Sequence, residues 1–228
     1  MTGYESWLEY ALHKLARLNL NVADLEEQPE TFTFEHKGKV RSYTPDLLLT
    51  FQPQLVAMLG WRPLFLEVKW RRDLLRKWFE LKPKLIAARS QARERECDFV
   101  LITDGEINRP YLANAVFLLE FRKLPHNELD ENLILEVLKT EGQINPETLM
   151  RHLTSDPFRR SELLQSLWHL VADFRVIAPL EERLTMRSLI STTEDKEDSG
   201  DEYFHGHRTG RARELRWRAI RHYPYPDS

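Results

Sequence analysis

Two short apolar runs, Thr44-Pro45-Asp46-Leu47-Leu48-Leu49 and Pro63-Leu64-Phe65-Leu66-Glu67-Val68-Lys69, constrain this chain more than any other feature. Each is too short for a helix and rich in branched and aromatic residues, so each reads as a buried strand. Each also carries charge that a buried strand tolerates only beside a compensating partner. In the second run Phe65, Glu67 and Lys69 share one face, because strand side chains alternate with period two. Antiparallel pairing of the runs sets the start of the first beside the end of the second, which brings Asp46 next to Glu67 and Lys69. Two carboxylates and an ammonium at one sheet end suit a site that binds a metal ion and cleaves a phosphodiester.

The rest of the chain frames that site. Residues 4–18 form an amphipathic pattern, with Leu8, Ala11, Leu12, Leu15 and Leu18 as the buried stripe and Glu5 and Glu9 on its edge. Either carboxylate is placed to reach whatever the helix packs on. Residues 31–35 and 40–43 alternate as a hairpin around His36-Lys37-Gly38-Lys39. With 46–51 and 63–69 they are expected to make a sheet of about four strands. Residues 52–62 read as a surface excursion. Helices are predicted over 71–80 and 83–96, with Pro83 in a first turn, then a strand over 97–103, a turn at Asp104-Gly105 and a helix over 109–122. This order is α/β, a mixed sheet flanked by helices.

A boundary is expected near 123–129, where Pro125, His126 and Asn127 interrupt the pattern. Three helical segments follow, over 129–140, 146–153 and 157–174, and a small hairpin is expected from 175–179 and 183–187. Three helices and a hairpin resemble a winged-helix module. The acidic Glu128, Asp130, Glu131, Glu136 and Glu141 favour a partner-docking role for it over DNA reading. From Ser191 the composition changes to an acidic run and then an arginine-rich end too poor in aliphatics for a core of its own. The expected domains are therefore 1–124, 125–190 and a flexible tail over 191–228.

With 228 residues and 42% apolar content the chain can build a real core, and its net charge of -3 does not mark it as a nucleic-acid binder. Charge is distributed unevenly, however. Lys69, Arg71, Arg72, Arg76, Lys77, Lys82 and Lys84 stand against only Asp73 and Glu80 in the stretch directly after the proposed site. Such a run either holds backbone phosphates or is a solvated helix face. Cys97 is the only cysteine, so an internal disulfide is excluded and a reducing, cytoplasmic compartment is expected. The amino-terminal residues lack the pattern of a signal peptide, and no apolar stretch approaches the ~20 residues that span a bilayer. There is no zinc-ligand spacing, P-loop or dinucleotide fingerprint.

Phosphodiester hydrolysis needs the nonbridging oxygens neutralised, a hydroxide generated near neutral pH and the leaving oxygen stabilised. Mg²⁺ does all three and takes hard oxygen ligands. Asp46 and Glu67 are the candidate ligands, the Val68 carbonyl a third, and Glu9 completes the shell. Lys69 would orient or deprotonate the attacking water. A Glu-x-Lys in a strand is ordinarily a surface ion pair, and Glu9 alone is an ordinary solvated carboxylate. The ordered combination is what points to a nuclease.

The sequence resembles the TnsA endonuclease subunits of heteromeric cut-and-paste transposases. The resemblance is carried by Glu5-Ser6-Trp7-Leu8-Glu9, Glu27-Gln28-Pro29-Glu30, Tyr43-Thr44-Pro45-Asp46-Leu47, Phe65-Leu66-Glu67-Val68-Lys69 and Leu101-Ile102-Thr103-Asp104-Gly105-Glu106-Ile107-Asn108. It implies a restriction-endonuclease-like amino-terminal domain and a winged-helix domain after it. It places the helix carboxylate on Glu9, the metal-binding aspartate on Asp46, the second strand residue on Glu67 and the lysine on Lys69. Gln28 matches a recurrent position of no assigned role. The resemblance further implies Mg²⁺ (or Mn²⁺) dependence and cleavage of the non-transferred strands at the 5′ ends of a transposon. The implied partners are a TnsB-like transposase and a TnsC-like AAA+ ATPase that docks on the carboxy-terminal region. Two other readings are a stand-alone restriction-like defence nuclease and a non-cleaving assembly subunit.

Overall fold

The computed structural model describes residues 7–192. Two compact units divide the chain, one running up to Ile107 and the other starting at Asn108. The expected boundary at 124–125 falls instead between two helices of the second unit. Glu5 and residues 193–228, which include nearly all of the expected tail, lie outside the described residues.

The first unit opens with α1 (Trp7–Leu18), where Leu8, Ala11, Leu12 and Leu18 of the expected stripe are buried, Ala16 is buried as well and Leu15 is only half-buried. It packs on β1 (Val22–Glu27) and β5 (Leu64–Lys69). The main sheet has the order β1-β4-β5-β6, with β4 (Leu47–Phe51) and β6 (Asp98–Thr103) on either side of β5. The β1/β4 and β4/β5 pairs are antiparallel and β5/β6 is parallel, so the sheet is mixed. Paired on both sides, β5 is an interior strand, and Leu64 to Val68 are all buried.

Three expectations are corrected here. The hairpin β2 (Phe32–His36) and β3 (Lys39–Tyr43) does not join the main sheet but forms a separate two-stranded ribbon. Its inner residues Phe32 and Tyr43 pack with Phe65 of β5 and with Ala88 and Ala92, so a helix rather than a strand edge covers it. The place at the sheet edge is taken by β1, whose sequence Val-Ala-Asp-Leu-Glu-Glu has no clean alternation. The helix break falls at Lys77, not at residues 80–83. The first helix is α3 (Arg71–Arg76) and the second is α4 (Trp78–Glu94), which carries Pro83 in its interior. That placement forgoes one backbone hydrogen bond, and burial of Leu85, Ala88 and Ala92 holds α4 nonetheless. Within the expected excursion lies α2 (Pro53–Leu59), ended by Gly60 in the left-handed region.

At the carboxyl end of β6, Asp104 to Glu106 make a 3-10 turn with a reciprocal cap between Thr103 and Glu106. The Asp104 carboxylate accepts the Arg71 backbone N–H at 2.7 Å. This ties the start of α3 to the end of β6 and satisfies an N–H that the helix itself leaves unpaired.

The second unit contains α5 (Arg109–Arg122), α6 (Glu128–Glu141), α7 (Pro146–Leu153) and α8 (Pro157–Ala172). Asn108, Asn127, Asn145 and Asp156 cap their starts through side-chain oxygens. The returning strand expected over 183–187 is not formed. Instead β7 (Val176–Ile177) pairs with β8 (Ser191–Thr192), and Ile144 bridges Ile190. Ser191 and Thr192, expected in the tail, are buried. The acidic character of α6 is also partly internal: Asp130 is buried against Arg159, and Glu131 against His169 and Arg175. No helix among the described residues is long and apolar enough to cross a membrane.

Candidate active site

Asp46 is fixed before its side chain is considered. Its N–H donates to the Leu66 carbonyl and its own carbonyl accepts from Gln28 N–H, both at 3.0 Å. Asp46 thereby extends the ladder on both sides at the mouth of β4. Gln28 has φ 47°, an uncommon conformation for a residue with a side chain. The recurrent position at Gln28 thus acquires a structural role, turning the chain out of β1 while bonding the residue that carries the site.

The β4/β5 register sets Leu47 opposite Leu66, so Asp46 adjoins the end of β5. One Asp46 oxygen accepts the Val68 N–H at 2.7 Å. The Lys69 ammonium lies 2.8 Å from Glu67 Oε1, 3.0 Å from the Val68 carbonyl oxygen and 3.9 Å from that same Asp46 oxygen. Three oxygens from Asp46, Glu67 and Val68 therefore converge on a single cationic nitrogen. Glu9 approaches from α1 and is half-buried. It acts electrostatically on both Asp46 and Lys69.

Two residues that the sequence reading did not place here complete the surroundings of Glu67. The Tyr43 hydroxyl, from the end of β3, donates to Glu67 Oε2 at 2.6 Å. The Lys84 ammonium, from α4, lies 3.2 Å from Glu67 Oε1 and 4.2 Å from the centre of the Tyr43 ring. Neither position has a sequence signal: Tyr43 reads as a strand residue, and Lys84 as one basic residue in a run.

Glu67 is 1% exposed, and an isolated carboxylate so buried is strongly disfavoured. Its partners offset that cost. Asp46 is less well compensated. Burial first, then the neighbouring Glu67 charge, push its pKa up to about 7, with Glu9 adding to the rise and Lys69 and the Val68 N–H opposing it. Burial pulls the Lys69 pKa down, but Glu67, Asp46 and Glu9 outweigh it and leave it above the ordinary lysine value. The Tyr43 hydroxyl is held protonated well above its usual range by burial and by Glu67.

Of the basic run, Arg71, Arg72, Arg76 and Lys77 are exposed while Lys82 and Lys84 are half-buried. Trp70 stacks on Trp7 at 6.1 Å with Arg72 over its ring. In the second unit, His126, Glu131 and His169 bring potential metal-ligand atoms within 4.8 Å of one another. His169 is remote in sequence from His126 and Glu131, so spacing gave no sign of the group. Glu131 there already holds His169 and Arg175, and the two imidazoles stack nearly parallel, at 18°. Glu131 and His169 are accounted for by a buried ion-pair network with Arg175, and the exposed His126 by its stack on His169.

The donor set at the β4/β5 mouth is all hard oxygen, already gathered about a cation, and suits Mg²⁺ better than a softer metal. Residues 19–104 match the family of TnsA-like endonuclease N-terminal domains. Asp46, Glu67, Val68, Lys69 and Lys84 fall inside the matched segment, and Glu9 precedes it. No curated protein matches the chain.

Proposed function

We propose that this chain, a nuclease of TnsA type by its amino-terminal domain, is a Mg²⁺-dependent DNA endonuclease subunit of a transposase. The observation that carries the reading is the convergence of Asp46, Glu67 and Val68 oxygens on the Lys69 ammonium at the end of an interior strand. Burying this much charge is costly for a scaffold and useful for a hydrolase.

In this reading Asp46, Glu67 and the Val68 carbonyl hold the ion, with Glu9 closing the shell from α1. Bound Mg²⁺, or Mn²⁺ in its place, supplies charge neutralisation at the phosphate and an acidified water. Lys69, held protonated by Glu67, Asp46 and Glu9, would leave the oxygens it covers and orient the attacking water or neutralise developing charge. Water attacks phosphorus, the P–O bond to the leaving strand breaks, and the leaving oxygen gains a proton. The exposed Arg71, Arg72, Arg76 and Lys77 lie directly after β5 and suit backbone phosphates.

The finer assignments belong to the same proposal: cleavage of the non-transferred strands at the transposon 5′ ends alongside a TnsB-like transposase, and docking of a TnsC-like AAA+ ATPase on the second unit. The three helices α6 to α8 with the β7/β8 pair support a winged-helix reading of the chain from about residue 125 through Thr192. The test is a reconstituted cleavage reaction with Asp46→Ala and Lys69→Ala. Each is expected to lose at least about 10³-fold in rate, in line with removal of a group that acts on transition-state charge. Cleavage at the wild-type rate in either variant overturns the assignment.

A further inference from the structure

Beyond offsetting the burial of Glu67, Lys84 has no part in the proposed chemistry. It reaches Glu67 Oε1 from α4 while Lys69 reaches it from β5, and both ammoniums sit on that one oxygen, at 3.2 Å and 2.8 Å. Lys69 also covers Asp46 and the Val68 carbonyl. Among the described residues the Lys84 ammonium meets Glu67 and the face of Tyr43, and it is anchored on α4 beside the fully packed Leu85 and Ala88. Asp46 and Glu67 thus face two ammoniums, with Glu9 adding negative charge from α1, so much of the site's negative charge is already offset before any metal arrives.

We propose that Lys84 is a resident counter-charge of the metal site, a positioning residue that acts through Glu67. It keeps affinity for a divalent cation low in the free protein, so that tight loading waits for the negative charge of a DNA phosphate. When a divalent ion takes the place now held by the Lys69 ammonium, Lys69 can swing away on its own strand end. Lys84, fixed on the helix, stays on Glu67 and repels the ion. A phosphodiester brought beside the ion offsets that repulsion. The inference rests on the nuclease reading and names how its site is regulated.

The test is calorimetric titration of Mn²⁺ into the DNA-free full chain and its Lys84→Met, Lys84→Gln and Lys84→Arg variants. The two neutral variants are expected to bind about tenfold tighter or more, since a unit charge a few ångströms from a divalent ion is worth at least that at a screened protein site. Lys84→Arg is expected to match the wild type. Lys84→Gln keeps a hydrogen-bond donor for Glu67, so it serves if Lys84→Met fails to fold. Equal or weaker binding in the neutral variants, or binding in none of the four, overturns the inference. So does tight binding by Lys84→Gln that survives an added Asp46→Ala, because the ion then sits elsewhere. Failure of the nuclease reading looks different: Mn²⁺ binds through Asp46 as expected, yet the wild type cleaves no DNA in the reconstituted reaction.

Discussion

Each unit of the molecule buries a glutamate to 1% exposure, Glu67 in the first and Glu131 in the second. Both hold two nitrogen partners, Lys69 and Lys84 in one case, His169 and Arg175 in the other. They differ in what stands beside them. The acid next to Glu131 is Asp130, which has its own arginine, Arg159. The acid next to Glu67 is Asp46, whose nearest cation is 3.9 Å away and shared with Glu67. Asp46 is left with a pKa near 7. Burial of a charge therefore does not by itself mark a reactive site. An acid left short of compensation by its neighbours is the better candidate for one.

Paired substitution is the strongest way to break this comparison. Glu67→Gln is expected to lower cleavage by at least about 10²-fold, because it removes a charge that holds the ion. Glu131→Gln is expected to leave the cleavage rate of folded protein unchanged while costing about 1–3 kcal/mol of stability, the range for a buried polar group whose partner is altered. Cleavage assays and urea unfolding on both variants decide it. Equal loss of cleavage in the two would erase the distinction.

A second prediction sharpens the comparison through Asp46. Its folded pKa of about 7 lies above the 3.8 of the unfolded chain. Between those values the folded state holds more protons, so this group's contribution to stability falls as pH rises from about 4 to 7. Metal binding needs the ionised carboxylate, so affinity is expected to rise up to about tenfold per pH unit below 7 and level off above it. Mn²⁺ titrations from pH 5.5 to 8.5 measure this, and an affinity flat across that range contradicts the environment assigned to Asp46.

The smallest effect concerns the hydroxyl that Glu67 has and Glu131 lacks. Tyr43→Phe removes the 2.6 Å hydrogen bond to Glu67 and leaves the ring that packs with Phe32 and Phe65. Thermal or urea unfolding is expected to show a loss of about 1–2 kcal/mol. A neutral result would mean that the two lysines alone satisfy Glu67.

The sequence by itself placed the core of the site. Asp46, Glu67 and Lys69 are legible because strand periodicity and antiparallel pairing are local rules, and they act on two runs only a loop apart. The α1 stripe, α5 and the three helices α6 to α8 are legible for the same reason, each being written in its own periodicity and caps. Tertiary structure alone decided the rest. It set β1 at the sheet edge despite a polar sequence, and drew the β2/β3 ribbon off the sheet onto α4. It carried Pro83 into the middle of a helix, and brought Tyr43 and Lys84 to Glu67 and His126 to Glu131 and His169. Those contacts join residues far apart in the chain through the packing of apolar faces. No local pattern encodes which polar side chain such packing will bring along.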